Sequence, residues 1–115
     1  MTIQELLQSG YFELRTECVP KRTLEHVQIC DLMSWVMRIG KERDVWITVQ
    51  THLNVVAVAS LLDFSCVIIP SSIEIPQETV DKANRHNVCI LSTNLSPFQI
   101  CKLMLELGID HETLL

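Results

Sequence analysis

The sequence predicts an α/β protein, a single three-layer domain over residues 1–115 with a mostly parallel sheet of about four to five strands flanked by helices. Three observations carry this. Short apolar stretches of strand type recur at residues 25–30, 45–49, 66–69 and 88–91, and each is followed by a stretch of helix type. Cap residues and glycines punctuate the boundaries between them. The resulting order of strand, helix, strand, helix favours parallel strands joined by right-handed crossovers.

Taken in order, Thr2 and Glu5 form a capping box that opens a short helix with Ile3, Leu6 and Leu7 on its apolar side, and Gly10 ends it. Residues 11–14 read as a strand of either direction, at an edge. Residues 16–23, with Pro20 and the pair Lys21 and Arg22, read as a mobile surface loop. In 25–30, Val27 and Ile29 alternate with His26, Gln28 and Cys30. Asp31 is the expected N-cap of a helix over 32–39 that Gly40 terminates. Residues 41–44 are a charged turn.

The stretch 45–63 is the centre of the chain. Val45, Trp46, Ile47 and Val49 make a buried strand. Leu53, Val55, Val56, Ala57, Val58, Ala59, Leu61 and Leu62 then occupy nearly every helical azimuth, so this helix is expected to be covered on more than one side. Residues 66–69 are a buried strand broken by Pro70, Ser71 and Ser72. Pro76 opens a helix over 76–85 with Val80 and Ala83 inward. After the strand at 88–91, Ser96, Pro97 and Gln99 form a second capping box, opening a helix with the apolar stripe Ile100, Leu103, Met104 and Leu107. Gly108 stops it, and residues 109–115 are a tail.

Composition narrows the function. With 115 residues, 48% apolar and 20% charged, and only three Gly and four Pro, the chain has the makings of a real core and not of a disordered linker. A formal charge of -5 without a Lys/Arg cluster argues against nucleic-acid or anionic-membrane binding. There is no leader-like segment, and no apolar run reaches the roughly 18 residues that span a bilayer, so a cytoplasmic location is expected. Five irregularly spaced cysteines contain no C-x-x-C pair and read as core thiols, Cys18 being the least typical. His26, His86 and His111 share no spacing, so no metal is expected, and no cofactor motif is present.

In a parallel sheet the strand C-termini share one edge, where ligands bind. The polar residues that follow the strands are therefore the candidate site: Gln50, Thr51, His52 and Asn54; Ser71; Ser92 and Thr93. They suit a small anionic or nucleotide-like ligand held through hydroxyls, amides and backbone N–H groups. The same residue types also cap helices and form turns. His52 at a helix start is the most chemically versatile of them. A small hydrolase or phosphotransfer enzyme using His52 or Asp31 is the weaker alternative, because neither has a recognisable partner at motif spacing. Trp35 and Trp46 read as core or interface residues. The all-apolar central helix suggests a homodimer.

The runs CDLMSWVM at 30–37, VWITVQTH at 45–52 and NVVAVA at 54–59, with Glu78 and Thr79, Lys82 and Ala83, and residues 90–93 and 96–98, resemble the DRTGG domain family. The resemblance covers about residues 31–108. It is similar in particular to small standalone bacterial members, often encoded near iron-hydrogenase genes, and more remotely to the N-terminal domain of HPr kinase/phosphorylase. Thr51 and His52 stand where many members carry Asp-Arg, and Pro70, Ser71 and Ser72 lie near the Thr-Gly-Gly loop. The resemblance implies an α/β regulatory module without catalytic activity. It also raises a protein-interaction or scaffold role toward a metabolic or hydrogenase-related partner.

Overall fold

Three strand–helix–strand crossovers in succession build most of the molecule. The computed structural model describes residues 1–18 and 22–109. In chain order the elements are α1 (Ile3–Gln8), β1 (Phe12–Leu14), β2 (His26–Ile29), α2 (Met33–Ile39), β3 (Asp44–Ile47), α3 (Leu53–Leu61), β4 (Cys66–Ile69), α4 (Gln77–Arg85), β5 (Ile90–Thr93) and α5 (Pro97–Glu106). The sheet order is β1-β5-β4-β3-β2. The pairs β2–β3, β3–β4 and β4–β5 are parallel, and β1 pairs antiparallel with β5 in the register Glu13 to Ser92. The expected α/β class and mostly parallel sheet are realised.

Because β2 to β5 follow one another across the sheet, right-handed crossovers place α2, α3 and α4 on one face. Strand alternation divides the core accordingly. Trp46, Val67, Ile69 and Ile90 pack with Val36 of α2, Val55, Val56 and Ala59 of α3, and Val80 and Ala83 of α4. On the other face, Val45, Ile47, Cys66, Ile68, Cys89 and Leu91 meet Ile3 and Leu6 of α1 and Ile100 and Met104 of α5. Both capping boxes form, at Thr2 with Glu5 and at Ser96 with Gln99. Gly10 (φ 85°) and Gly108 (φ 94°) take the left-handed conformation that ends a helix.

Several expectations are corrected. Asp31 does not cap α2; Leu32 stands at that position without a side-chain bond, and the Asp31 carboxylate reaches across to β3 instead. Gly40 has φ -63°, so it is not a left-handed cap. A Cβ there would lie 2.5 Å from Phe64 Cζ and 2.7 Å from the Val36 carbonyl oxygen, so the position requires glycine for close packing. Asp44 belongs to β3 and not to a charged turn. It is wholly buried, its Oδ2 accepts from the Lys41 N–H at 2.8 Å, and its Oδ1 lies 3.3 Å from His26 Nδ1 without hydrogen-bond alignment. The central helix is covered on more than one side as expected, by the sheet and by its neighbours. α2 and α4 flank it and leave Asn54, Ala57, Ser60 and Leu61 exposed.

The cysteines also depart from the sequence reading. Cys18 and Cys89 form a disulfide with Cα atoms 5.3 Å apart, tying the segment after β1 to the start of β5. Cys66 remains a core thiol, and burial pushes its pKa up to about 12. Native protein treated with iodoacetamide at pH 8 is therefore expected to keep Cys66 unmodified until it is unfolded, as mass spectrometry of peptides would report. The sign of the linkage follows: the unfolded thiol ionises first, so this group's contribution to stability fades as pH rises from its ordinary 9.0 toward about 12. The expected loop over 16–23 and tail over 109–115 fall partly outside the described residues; Ile109 itself is buried.

Candidate functional site

Parallel alignment of β2 to β5 brings residues 31, 50, 70 and 94 to one rim, but its two halves differ. At the β2–β3 half the polar groups bond to each other. Asp31 Oδ1 accepts from Thr48 Oγ1 at 2.8 Å and from the Val49 N–H at 2.9 Å. Gln50 Nε2 donates to the Asp31 carbonyl at 3.3 Å, and the Gln50 N–H donates to Thr48 Oγ1 at 3.1 Å. Beneath them Trp46 Nε1 donates to the Cys30 carbonyl at 2.8 Å. His52 is the N-cap of α3, its Nδ1 accepting from the Asn54 N–H at 3.1 Å. The Thr51 carbonyl accepts from Thr79 Oγ1 of α4 at 2.8 Å. Gln50, Thr51 and His52 thus fasten β2, β3, α3 and α4 together.

The β4–β5 half is open. After β4 the chain turns toward α4 on one face of the sheet, whereas after β5 it turns toward α5 on the other. Adjacent parallel strands whose continuations part to opposite faces leave a crevice beyond their C-terminal ends, the usual ligand position in open α/β sheets. Ser71 and Ser72 bridge it with left-handed backbones (φ 59° and 56°), their N–H groups donating to the Leu95 and Thr93 carbonyls at 2.8 and 2.9 Å. Thr93 Oγ1 donates to the Tyr11 carbonyl at 2.7 Å and accepts from the Leu95 N–H at 3.2 Å, so its hydroxyl is committed to the scaffold.

From this crevice a groove of about 730 Å³ extends over β1 and β5. Its origin is topological. The crossover helices cover β2 to β5, and among the described residues no helix packs over β1 on their side. Phe12 is buried and Leu14 half-buried in the core cluster of α1 and α5, so the period-two alternation turns Tyr11, Glu13 and Arg15 to the uncovered face. Glu13 there sits beside Ser92, its register partner. Residues 72–77 form the opposite wall.

Of the residues the sequence singled out, Ser92 and Thr93 line this groove and Ser71 adjoins its lining residue Ser72, whereas Gln50, Thr51, His52 and Asn54 stand outside it at the end of β3. Sequence reasoning missed Tyr11, Glu13 and Arg15. The signal was present in the polar positions alternating with Phe12 and Leu14, but it acquires meaning only once β1 is known to lie beside β5.

No protein-family model and no curated protein matches the chain. Among solved structures, it is similar to the CBS and DRTGG domains of the regulatory region of Clostridium perfringens pyrophosphatase, crystallised with the activator diadenosine tetraphosphate. The TM-score is 0.69 with 14% identity, over 99% of this chain and 52% of that one. This chain therefore has a CBS/DRTGG-like fold and spans about half the length of that regulatory region.

Proposed function

We propose that this chain is a non-catalytic, cytoplasmic ligand-sensing regulatory module that acts as a homodimer and binds a small anionic or nucleotide-like ligand at the strand C-terminal rim. The observation that carries the reading is the crevice beyond β4 and β5, where the chain departs to opposite faces and a groove of about 730 Å³ opens. Ser71, Ser92 and Thr93 belong to that crevice; Gln50, Thr51, His52 and Asn54 flank it one strand away. The fold it shares with a regulatory region supports a sensing role over a catalytic one, and the commitment of His52 Nδ1 to a backbone amide argues against His52 as a catalytic base. The homodimer clause draws on the exposed stripe of α3, where small residues lie beside Leu61 at 69% exposure.

Thermal-shift measurements with nucleotides and phosphate metabolites test the ligand clause: a concentration-dependent rise in Tm is expected for at least one, and no rise with any of them at millimolar concentration contradicts it. Sedimentation at micromolar concentration tests the dimer clause, which a purely monomeric boundary would remove. A scaffold role toward a metabolic or hydrogenase-related protein is the second reading, favoured by the exposed apolar side chains Ile29, Leu32, Trp35, Met37 and Val49 around β2, α2 and the end of β3. Substituting Leu32 and Trp35 by Ser would abolish such a partner's binding and leave the ligand response intact.

A further inference from the structure

The groove over β1 and β5 carries more chemistry than the rim candidates alone, and we propose that it takes a nucleoside bearing a single phosphate, with Arg15 as the phosphate-binding residue. The proposal rests on the ligand-sensing reading and specifies its ligand. Arg15 is the one basic residue among the described residues that line the groove. It is half-buried, and its guanidinium has no hydrogen bond or ion pair among the described residues, although Glu13 lies two positions away on the same side of the strand. A planar fork left unpaired in a concave site suits a phosphate, which it can meet bidentately.

The remaining lining matches the other parts of such a ligand. Glu13 and Glu74 offer carboxylates with no ion-pair partner among the described residues, and a carboxylate is the acceptor that paired ribose hydroxyls satisfy. The Tyr11 ring, 53% exposed in the lining of the groove, offers a stacking face for a base. Asn94 offers an amide for a base edge, and Ile73 and Pro76 give the opposite wall an apolar surface. The volume of about 730 Å³ lies within the range of small-molecule sites.

Charge limits the number of phosphates. Among the described residues that line the groove, one guanidinium stands against two carboxylates, a net negative balance that gives a first phosphate Arg15 and leaves a second and third without a further cation among those residues. Free inorganic phosphate would gain the Arg15 contact alone and forgo the ribose and base contacts.

Isothermal titration with AMP, GMP, CMP and UMP, their nucleosides, ATP and inorganic phosphate tests this. At least one monophosphate is expected to bind about tenfold tighter than its own nucleoside and than ATP, with inorganic phosphate weaker still. Arg15→Gln should bring that monophosphate down to the affinity of its nucleoside while the nucleoside's own affinity is unchanged, which a merely misfolded variant would not reproduce. Glu13→Gln should narrow the gap between ATP and the monophosphate. Equal monophosphate binding by wild type and Arg15→Gln, ATP binding tighter than every monophosphate, or no binding by any monophosphate would each overturn the assignment. A ligand from the wider metabolite series whose binding survives Arg15→Gln and is lost in His52→Ala would overturn it too, while leaving the sensing role standing.

Discussion

Replacing both Cys18 and Cys89 by Ser is expected to lower the unfolding free energy by about 4 kcal/mol, the chain-entropy figure for opening so long a loop. The two residues are 71 positions apart, so the bond encloses β2, β3 and β4 with their crossovers. Without it the unfolded chain regains the freedom that the closed loop denied it. The folded state has other contacts at this place: the Arg15 N–H donates to the Ile90 carbonyl at 2.9 Å, and Thr16 Oγ1 accepts from the Ile90 N–H at 3.1 Å. These hold the segment after β1 in place, so the fold should survive while its stability falls. Urea unfolding of the oxidised protein, the reduced protein and the double variant checks this. The last two should share a midpoint well below the first, and coincidence of all three would contradict the account. In a cytoplasm that keeps thiols reduced, the protein would work with the lower of these stabilities.

Trp46→Ala is expected to cost about 3–5 kcal/mol, the range for deleting a large buried aromatic. Trp46 is among the largest wholly buried side chains and meets Phe64 edge-on with ring centroids 5.8 Å apart. It does a second task at the rim, because its Nε1 donates to the Cys30 carbonyl and so fixes the chain where it leaves β2 for Asp31. Trp46→Phe separates the two roles. The ring still fills most of the space, but the Cys30 carbonyl loses its donor, at a cost of about 1–3 kcal/mol if no water replaces it. Equilibrium unfolding of both variants gives the comparison, and equal losses would show that packing alone accounts for the position.

The central strands β3 and β4 were legible because each is buried on both faces and therefore reads as an unbroken apolar run, Val45 to Ile47 and Cys66 to Ile69, whereas the edge strand β2 showed itself only by alternation. The two capping boxes were legible because their chemistry is local, three residues apart. What was not legible is non-local. Cys18 and Cys89 pair only because β1 returns beside β5, and nothing near either residue announces it. Asp31 looked like a cap because a carboxylate before a helix usually is one, yet the Thr48 hydroxyl and the Val49 amide, supplied by the next strand, compete for it successfully. Asp44 looked solvent-exposed beside Lys41, Glu42 and Arg43, and its burial depends on β2 lying alongside. The candidate site divides in the same way. The rim followed from strand direction, but which half of it is open followed from helices leaving β4 and β5 on opposite sides, and the contribution of Tyr11, Glu13 and Arg15 followed from the place of a three-residue edge strand.

The most direct measurement is a two-dimensional amide NMR titration of the oxidised protein with the monophosphate that binds best. The account predicts that the shifted amides cluster in residues 11–15, 72–77 and 92–94, around the crevice of β4 and β5, while those of residues 50–54 move little. A response centred on residues 50–54, or spread along β2 and α2 with the groove silent, would contradict it.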